Sequence, residues 1–284
     1  MTTAVRLAAF AAVGVAVFAG AIGLGRAVDA DAGSGAESAH GHGDDGATHG
    51  GDHGATAEAA SAGAIAQDGL RLVVDTAAPR PGIEAPFRFR IVTGGETVRD
   101  FDVTHDKRMH LIVVRRDLTG FQHLHPTQAD DGSWSVPLRL DDAGTYRVFA
   151  DFSTGGERTT LGADLAVAGD FAPQALPPVA GSDRTGPYEV RLHDDGDGLD
   201  FEVLRDGAPV EDLEPYLGAR GHLVALREGD LAFLHVHPDE AGEAKPGHIG
   251  FEIEYPSPGR YRLYLQFKHQ GVVQTVAFTR EVGA

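Results

Sequence analysis

The chain runs to 284 residues, room for one large domain or two of ordinary size, with 42% hydrophobic residues, a net charge of −18 and no cysteine. The excess of carboxylates excludes non-specific nucleic-acid binding, because a phosphate backbone would be repelled. The lack of cysteine excludes disulfides, thiolate metal sites, lipid attachment through cysteine and thiol catalysis.

Residues 7–24, LAAFAAVGVAVFAGAIGL, follow Arg6 and carry no charge. The run is longer than the ~7–15 residues of a signal-peptide core and just reaches the length of a membrane-spanning helix. VDA at 28–30 offers small residues for cleavage. Residues 1–30 therefore read as a signal peptide or a membrane anchor, and either implies an extracytoplasmic protein, anchored or secreted. Residues 31–66 are dominated by Gly, Ala, Asp and His. That composition cannot bury enough apolar surface to offset its ordering entropy, so it reads as a disordered linker. Within it His40, His42, His49 and His53 stand beside Asp44, Asp45 and Asp52. Flexible His/Asp sequence can wrap a divalent cation, with poor selectivity because nothing fixes the geometry.

From about residue 68 the pattern changes to short alternating runs: FRFRIVT (87–93), MHLIVV (109–114), SWSVPLRL (133–140) and TYRVFADF (145–152). Gly, Asp and Pro clusters separate them, and no window shows a helical stripe, so the class is all-β. A Pro-rich connector at 170–187 leads to a second set, and the two sets align. Residues 89–126 lie over 201–238 without a gap, with 12 of 38 positions identical. This is an internal duplication of domain size. DDAGTYRVFADF and PSPGRYRLYLQF occupy equivalent places and match the start of the F strand in Ig-like sandwiches, with Tyr146 and Tyr261 as corner residues. The expected organisation is two tandem Ig-like β-sandwiches, at 67–169 and 188–284. The acidic run at 193–200 reads as a hairpin turn, since it lacks the spacing and closing Glu of a calcium loop.

Each repeat carries a histidine 13 positions before an H-x-H-P phrase: His110 before His123 and His125, and His222 before His235 and His237. The turn-like residues between them make each motif a β-hairpin. With the loop centred on Leu118–Thr119, Val114 would face His123 and Ile112 would face His125, and all three histidines would share a face. Residues i and i+2 on a strand are roughly 6.5–7 Å apart, so such rings can tilt onto one cation with bonds of about 2.0–2.1 Å. Imidazole ligands suit copper or zinc. Met109 is a candidate soft ligand, although its counterpart is Gly221, and His105, aligned with Leu217, reads as incidental. His248 and His269 have no counterparts in the first repeat.

The Met109–His110 pair, the two H-x-H-P phrases, the sandwich pattern and the export signal together resemble the YtkA-like group and, more loosely, CopC-type periplasmic copper-binding proteins. That resemblance implies a copper or heavy-metal binding role. Two other readings compete. H-x-H on a strand also opens the cupin motif, with Asp130 or Glu240 as a nearby carboxylate, but the second cupin histidine has no equivalent here. A non-enzymatic envelope protein, binding a protein partner through an edge strand or loop and keeping structural histidines, is the other.

Overall fold

A computed structural model of the chain describes residues 63–76, 78–194, 198–234, 236–238 and 245–283, with the backbone alone at Asp194 and His237. The segment read as signal or anchor, His40, His42, His49, His53, His235 and Glu240 lie outside the described residues. Among the described residues no helix is long and apolar enough to cross a membrane.

Among the described residues the first repeat contains ten strands: β1 (Ala66–Gln67), β2 (Leu70–Val74), β3 (Ala85–Thr93), β4 (Glu96–Thr97), β5 (His110–Arg115), β6 (Gln122–Leu124), β7 (Thr127–Gln128), β8 (Trp134–Leu138), β9 (Gly144–Thr154) and β10 (Glu157–Val167). The second repeats them in order: β11 (Ser182–Thr185), β12 (Tyr188–Asp194), β13 (Gly198–Arg205), β14 (Ala208–Pro209), β15 (Gly221–Arg227), β16 (Phe233–Leu234), β17 (His237–Pro238), β18 (His248–Glu252), β19 (Gly259–His269) and β20 (Val272–Val282). Each repeat forms a six-stranded sheet, ordered β1-β2-β3-β8-β7 with β4 beside β3, and a four-stranded sheet ordered β10-β9-β5-β6. The second copy has the same order, element for element. All pairings are antiparallel, and the two sheets of each repeat face each other as an Ig-like sandwich.

Alternation explains the layers. In β3, Phe87, Phe89 and Ile91 point inward while Arg88 and Arg90 stay in solvent. The inward residues of both sheets make one core per sandwich, around Trp134, Tyr146 and Phe152 in the first and Phe201, Tyr261 and Phe267 in the second. Both tyrosine corners are formed: the Tyr146 hydroxyl donates to the Asp142 carbonyl at 3.1 Å and Tyr261 to Ser257 at 2.7 Å.

Strand β5 departs from simple alternation, because every one of its residues is buried. Leu111 and Val113 enter the sandwich core, while Ile112 and Val114 enter a third core shared by the two repeats. Phe149 joins them, facing Val224, Leu226 and Tyr264 of the second repeat. The contact is reciprocal: Phe149 meets Phe233 at 5.3 Å, and its equivalent Tyr264 stacks at 4.0 Å on Phe121, the equivalent of Phe233. Residue i touching j while j touches i is the signature of a two-fold contact, here built within one chain. The connector helps to close it, with Leu176 in this core and the Gln174 amide donating to Asp117 at 2.9 Å.

Two boundaries differ from the sequence reading. The end of the expected linker is structured, since Gly63 donates to the Thr160 carbonyl at 2.7 Å and Gly162 donates to Ala64 at 2.9 Å. These bonds satisfy the otherwise open edge of β10. Strand β11 lies within the connector at 170–187. The run at 193–200 joins β12 to β13, which pair antiparallel up to Asp194 and Leu199.

The corner hydrogen bonds give a direct test of the duplicated fold. Tyr146→Phe and Tyr261→Phe should each lower unfolding free energy by about 1 kcal/mol in chemical denaturation, leaving the secondary structure unchanged.

Candidate metal centre

The site begins with the turn of the β5–β6 hairpin. The Arg115 amide donates to the Thr119 carbonyl at 2.9 Å, and Leu118 adopts a φ of 63°. Asp117 clamps this turn, accepting from the Arg115 guanidinium through both oxygens and from the Thr119 hydroxyl at 2.7 Å. The resulting register places Ile112 opposite His123. This corrects the expectation of Val114 opposite His123 by two residues, a displacement that leaves every side chain on its expected face. His110, His123 and His125 do share a face, and one ring nitrogen from each lies within 4.8 Å of the other two.

Proton positions follow from the outer partners of two of these rings. His110 Nε2 lies 3.0 Å from the Thr104 carbonyl, which only accepts, so Nε2 carries the proton. In the neutral ring, Nδ1 is then a bare lone pair. His123 Nδ1 lies 2.7 Å from Gln266 Oε1 of the second repeat, while the Gln266 amide nitrogen donates to the Thr275 hydroxyl at 3.3 Å. His123 therefore carries its proton on Nδ1 and leaves Nε2 bare. These two nitrogens face each other 3.1 Å apart, and with Gln266 presenting its oxygen to His123 both are bare. Bonds of about 2.0–2.1 Å to a shared ion would subtend roughly 100° across that gap. His125 Nε2 is buried and has no hydrogen-bond partner among the described residues.

Burial keeps the rings neutral. It is the main cause that lowers His110 and that takes His123 well below the usual histidine range, with the neighbouring histidines adding to it for His123. His125 is pushed down to about 4, first by burial and then by the electrostatic influence of neighbouring His110 and Lys107. Protons therefore compete weakly for these lone pairs near neutral pH.

The cluster crosses the repeat boundary. The His222 ring lies 4.7 Å from that of His123 and parallel to that of His110 at 5.8 Å. His105, set aside in the sequence reading, stands 6.1 Å from His110 and 5.9 Å from His222. It sits at the first of two positive-φ positions in the Thr104–Lys107 turn, a turn repeated at Tyr216–Ala219, so only the side chain differs between copies. Met109 is buried in the first core. Its equivalent, Gly221, has no room for a side chain, because a Cβ would meet Ile249 at 2.9 Å and the Gln266 carbonyl at 3.0 Å.

The remaining candidates stand apart from the cluster. Asp130 is exposed in the turn before β8. His248 pairs with Asp200 at 2.6 Å, and buried His269 bridges the Tyr188 hydroxyl and Asp212.

The family model described as Domain of unknown function (DUF8832) matches residues 64–169 and again 185–284, and the chain belongs to that family. No curated protein matches its sequence. Among solved structures it is similar to Escherichia coli alpha-2-macroglobulin activated by porcine elastase, at 14% identity and a TM-score of 0.27 over 74% of this chain. It spans 20% of the length of that macroglobulin chain. It is also similar to a two fibronectin type-III domain segment from chicken tenascin, at 11% identity and a TM-score of 0.23, covering 74% of this chain and 97% of the other. A DUF4785 family protein from Legionella pneumophila gives 12% identity and a TM-score of 0.26, covering 75% of this chain and 47% of the other.

The buried histidines couple stability to pH. An unfolded histidine takes up its proton near 6.5, while folded His125 does so only near 4. Its contribution is therefore complete above pH 6.5 and is lost as pH falls from 6.5 towards 4. Calorimetry on the metal-free protein should show Tm dropping across that window, with a shallower drop in His125→Leu. Equal slopes in the two proteins would contradict the assignment.

Proposed function

We propose that this DUF8832 protein is an extracytoplasmic, anchored or secreted binder of a transition metal, copper first and zinc second. Its role would be sequestration or delivery, without bond-making chemistry. The supporting observation is the convergence of three imidazole nitrogens from His110, His123 and His125, two of them stripped of their protons by outer acceptors. Histidines that ligate metals characteristically donate their other N–H to a carbonyl or similar acceptor, which fixes the tautomer and raises basicity. A neutral all-imidazole site favours copper over zinc by the Irving–Williams order wherever copper is present. The motif resemblance to YtkA-like and CopC-type proteins points the same way. His222, His235 and His237 are the duplicated counterparts of this triplet in the sequence, and the linker histidines gather metal loosely.

One observation favours a second reading, that of an envelope scaffold with structural histidines binding a protein partner. The His123–Gln266 contact joins the two repeats and would act as an interface strut without any ion. The buried nitrogen of His125, without a partner among the described residues, weighs against it, because an unsatisfied buried polar group costs about 1–3 kcal/mol.

Titration of the full chain with Cu(II) and Zn(II) separates the two. With His40, His42, His49 and His53 changed to Ala, tight stoichiometric binding should persist. Further change of His110, His123 and His125 to Ala should abolish it. Loss of stoichiometric binding on removing the linker histidines alone would contradict the folded site.

A further inference from the structure

The first sandwich brings three imidazoles together, and the second sandwich places a fourth beside them. Imidazoles sharing a tetrahedral ion through bonds of about 2.0–2.1 Å have ring centres roughly 5 Å apart. Within the first sandwich those separations are 5.3 Å for His110–His123, 5.2 Å for His110–His125 and 4.7 Å for His123–His125. The His222 ring stands beside this set, 4.7 Å from that of His123 and 5.8 Å from that of His110 in a nearly parallel plane, while the nitrogens that converge within 4.8 Å are those of the first three. The position of His222 is fixed by β15, where it pairs directly with Gln266 on β19. Gln266 in turn accepts from His123. The second repeat thus supplies both the acceptor that bares His123 Nε2 and the ring next to it.

We infer that the centre is bipartite: His222 of the second sandwich is a fourth imidazole ligand to the ion held by His110, His123 and His125 of the first. This rests on the metal-binding reading above. An ion with ligands from both sandwiches is bound in full only when the two are docked. Binding therefore stabilises the docked arrangement, and separation of the sandwiches removes one ligand and weakens the hold.

X-ray absorption on the Zn(II)-loaded full chain, with the four linker histidines changed to Ala, counts the imidazoles directly. Four are expected. His222→Ala should leave one ion bound, replace one imidazole by an oxygen ligand that lacks the ring's outer-shell scattering, and weaken affinity about tenfold or more. His222→Gln, which keeps a polar side chain of similar length on β15, should do the same. Three imidazoles in the unsubstituted protein, or unchanged affinity and ligand count in both His222 variants, overturns the bipartite site and leaves the three-histidine reading standing. Failure of the unsubstituted folded region to bind stoichiometric metal overturns both.

Discussion

Both faces of β5 are apolar, and a strand with two apolar faces has to be covered twice. The sandwich covers Leu111 and Val113, and the second repeat covers Ile112 and Val114. This shared core sets the two four-stranded sheets against each other and carries His222 and Gln266 to the edge of the β5–β6 hairpin. Without that packing, His110 and His123 would lie on an outer sheet face, in water, with ordinary proton affinities. With it, they lie in a poorly solvated pocket where the neutral imidazole is favoured. The chemistry of the cluster is thus a consequence of an apolar contact several residues away.

Much of the fold was legible in the sequence because β-structure has a period of two. The alternation in FRFRIVT, the two D/S-x-G-x-Y corners and the gapless duplication are all local or self-referential signals. The shared face of His110, His123 and His125 was legible for the same reason, since parity survives a register displaced by two. The register itself was not legible. It depends on Asp117 drawing Arg115 and Thr119 into a tight turn, with Leu118 at positive φ, a conformation few sequences announce.

The joining of the repeats escaped sequence reasoning altogether. Alignment lays His110 over His222 and His105 over Leu217, so it separates residues that the two-fold contact brings together. His105 looks incidental when compared with Leu217 and belongs to the cluster when seen beside His222. The one available cue was MHLIVV, a run with no polar alternation, which implies two covered faces. An alternating strand would have implied a solvated face and no such contact.

The readiness of the cluster for a cation depends on where two protons sit. If Gln266 presents its oxygen to His123, then His123 holds its proton on Nδ1 and two lone pairs converge on a space suited to a cation. If the Gln266 amide is turned, His123 carries its proton on Nε2 and donates it to His110 Nδ1, closing a hydrogen-bond chain that needs no metal. Imidazole nitrogen-15 NMR of the metal-free protein distinguishes the two directly. The Nε2–H tautomer for His110 together with the Nδ1–H tautomer for His123 is the result expected of a metal centre. An Nε2–H tautomer for His123, coupled through a hydrogen bond to His110 Nδ1, would contradict it.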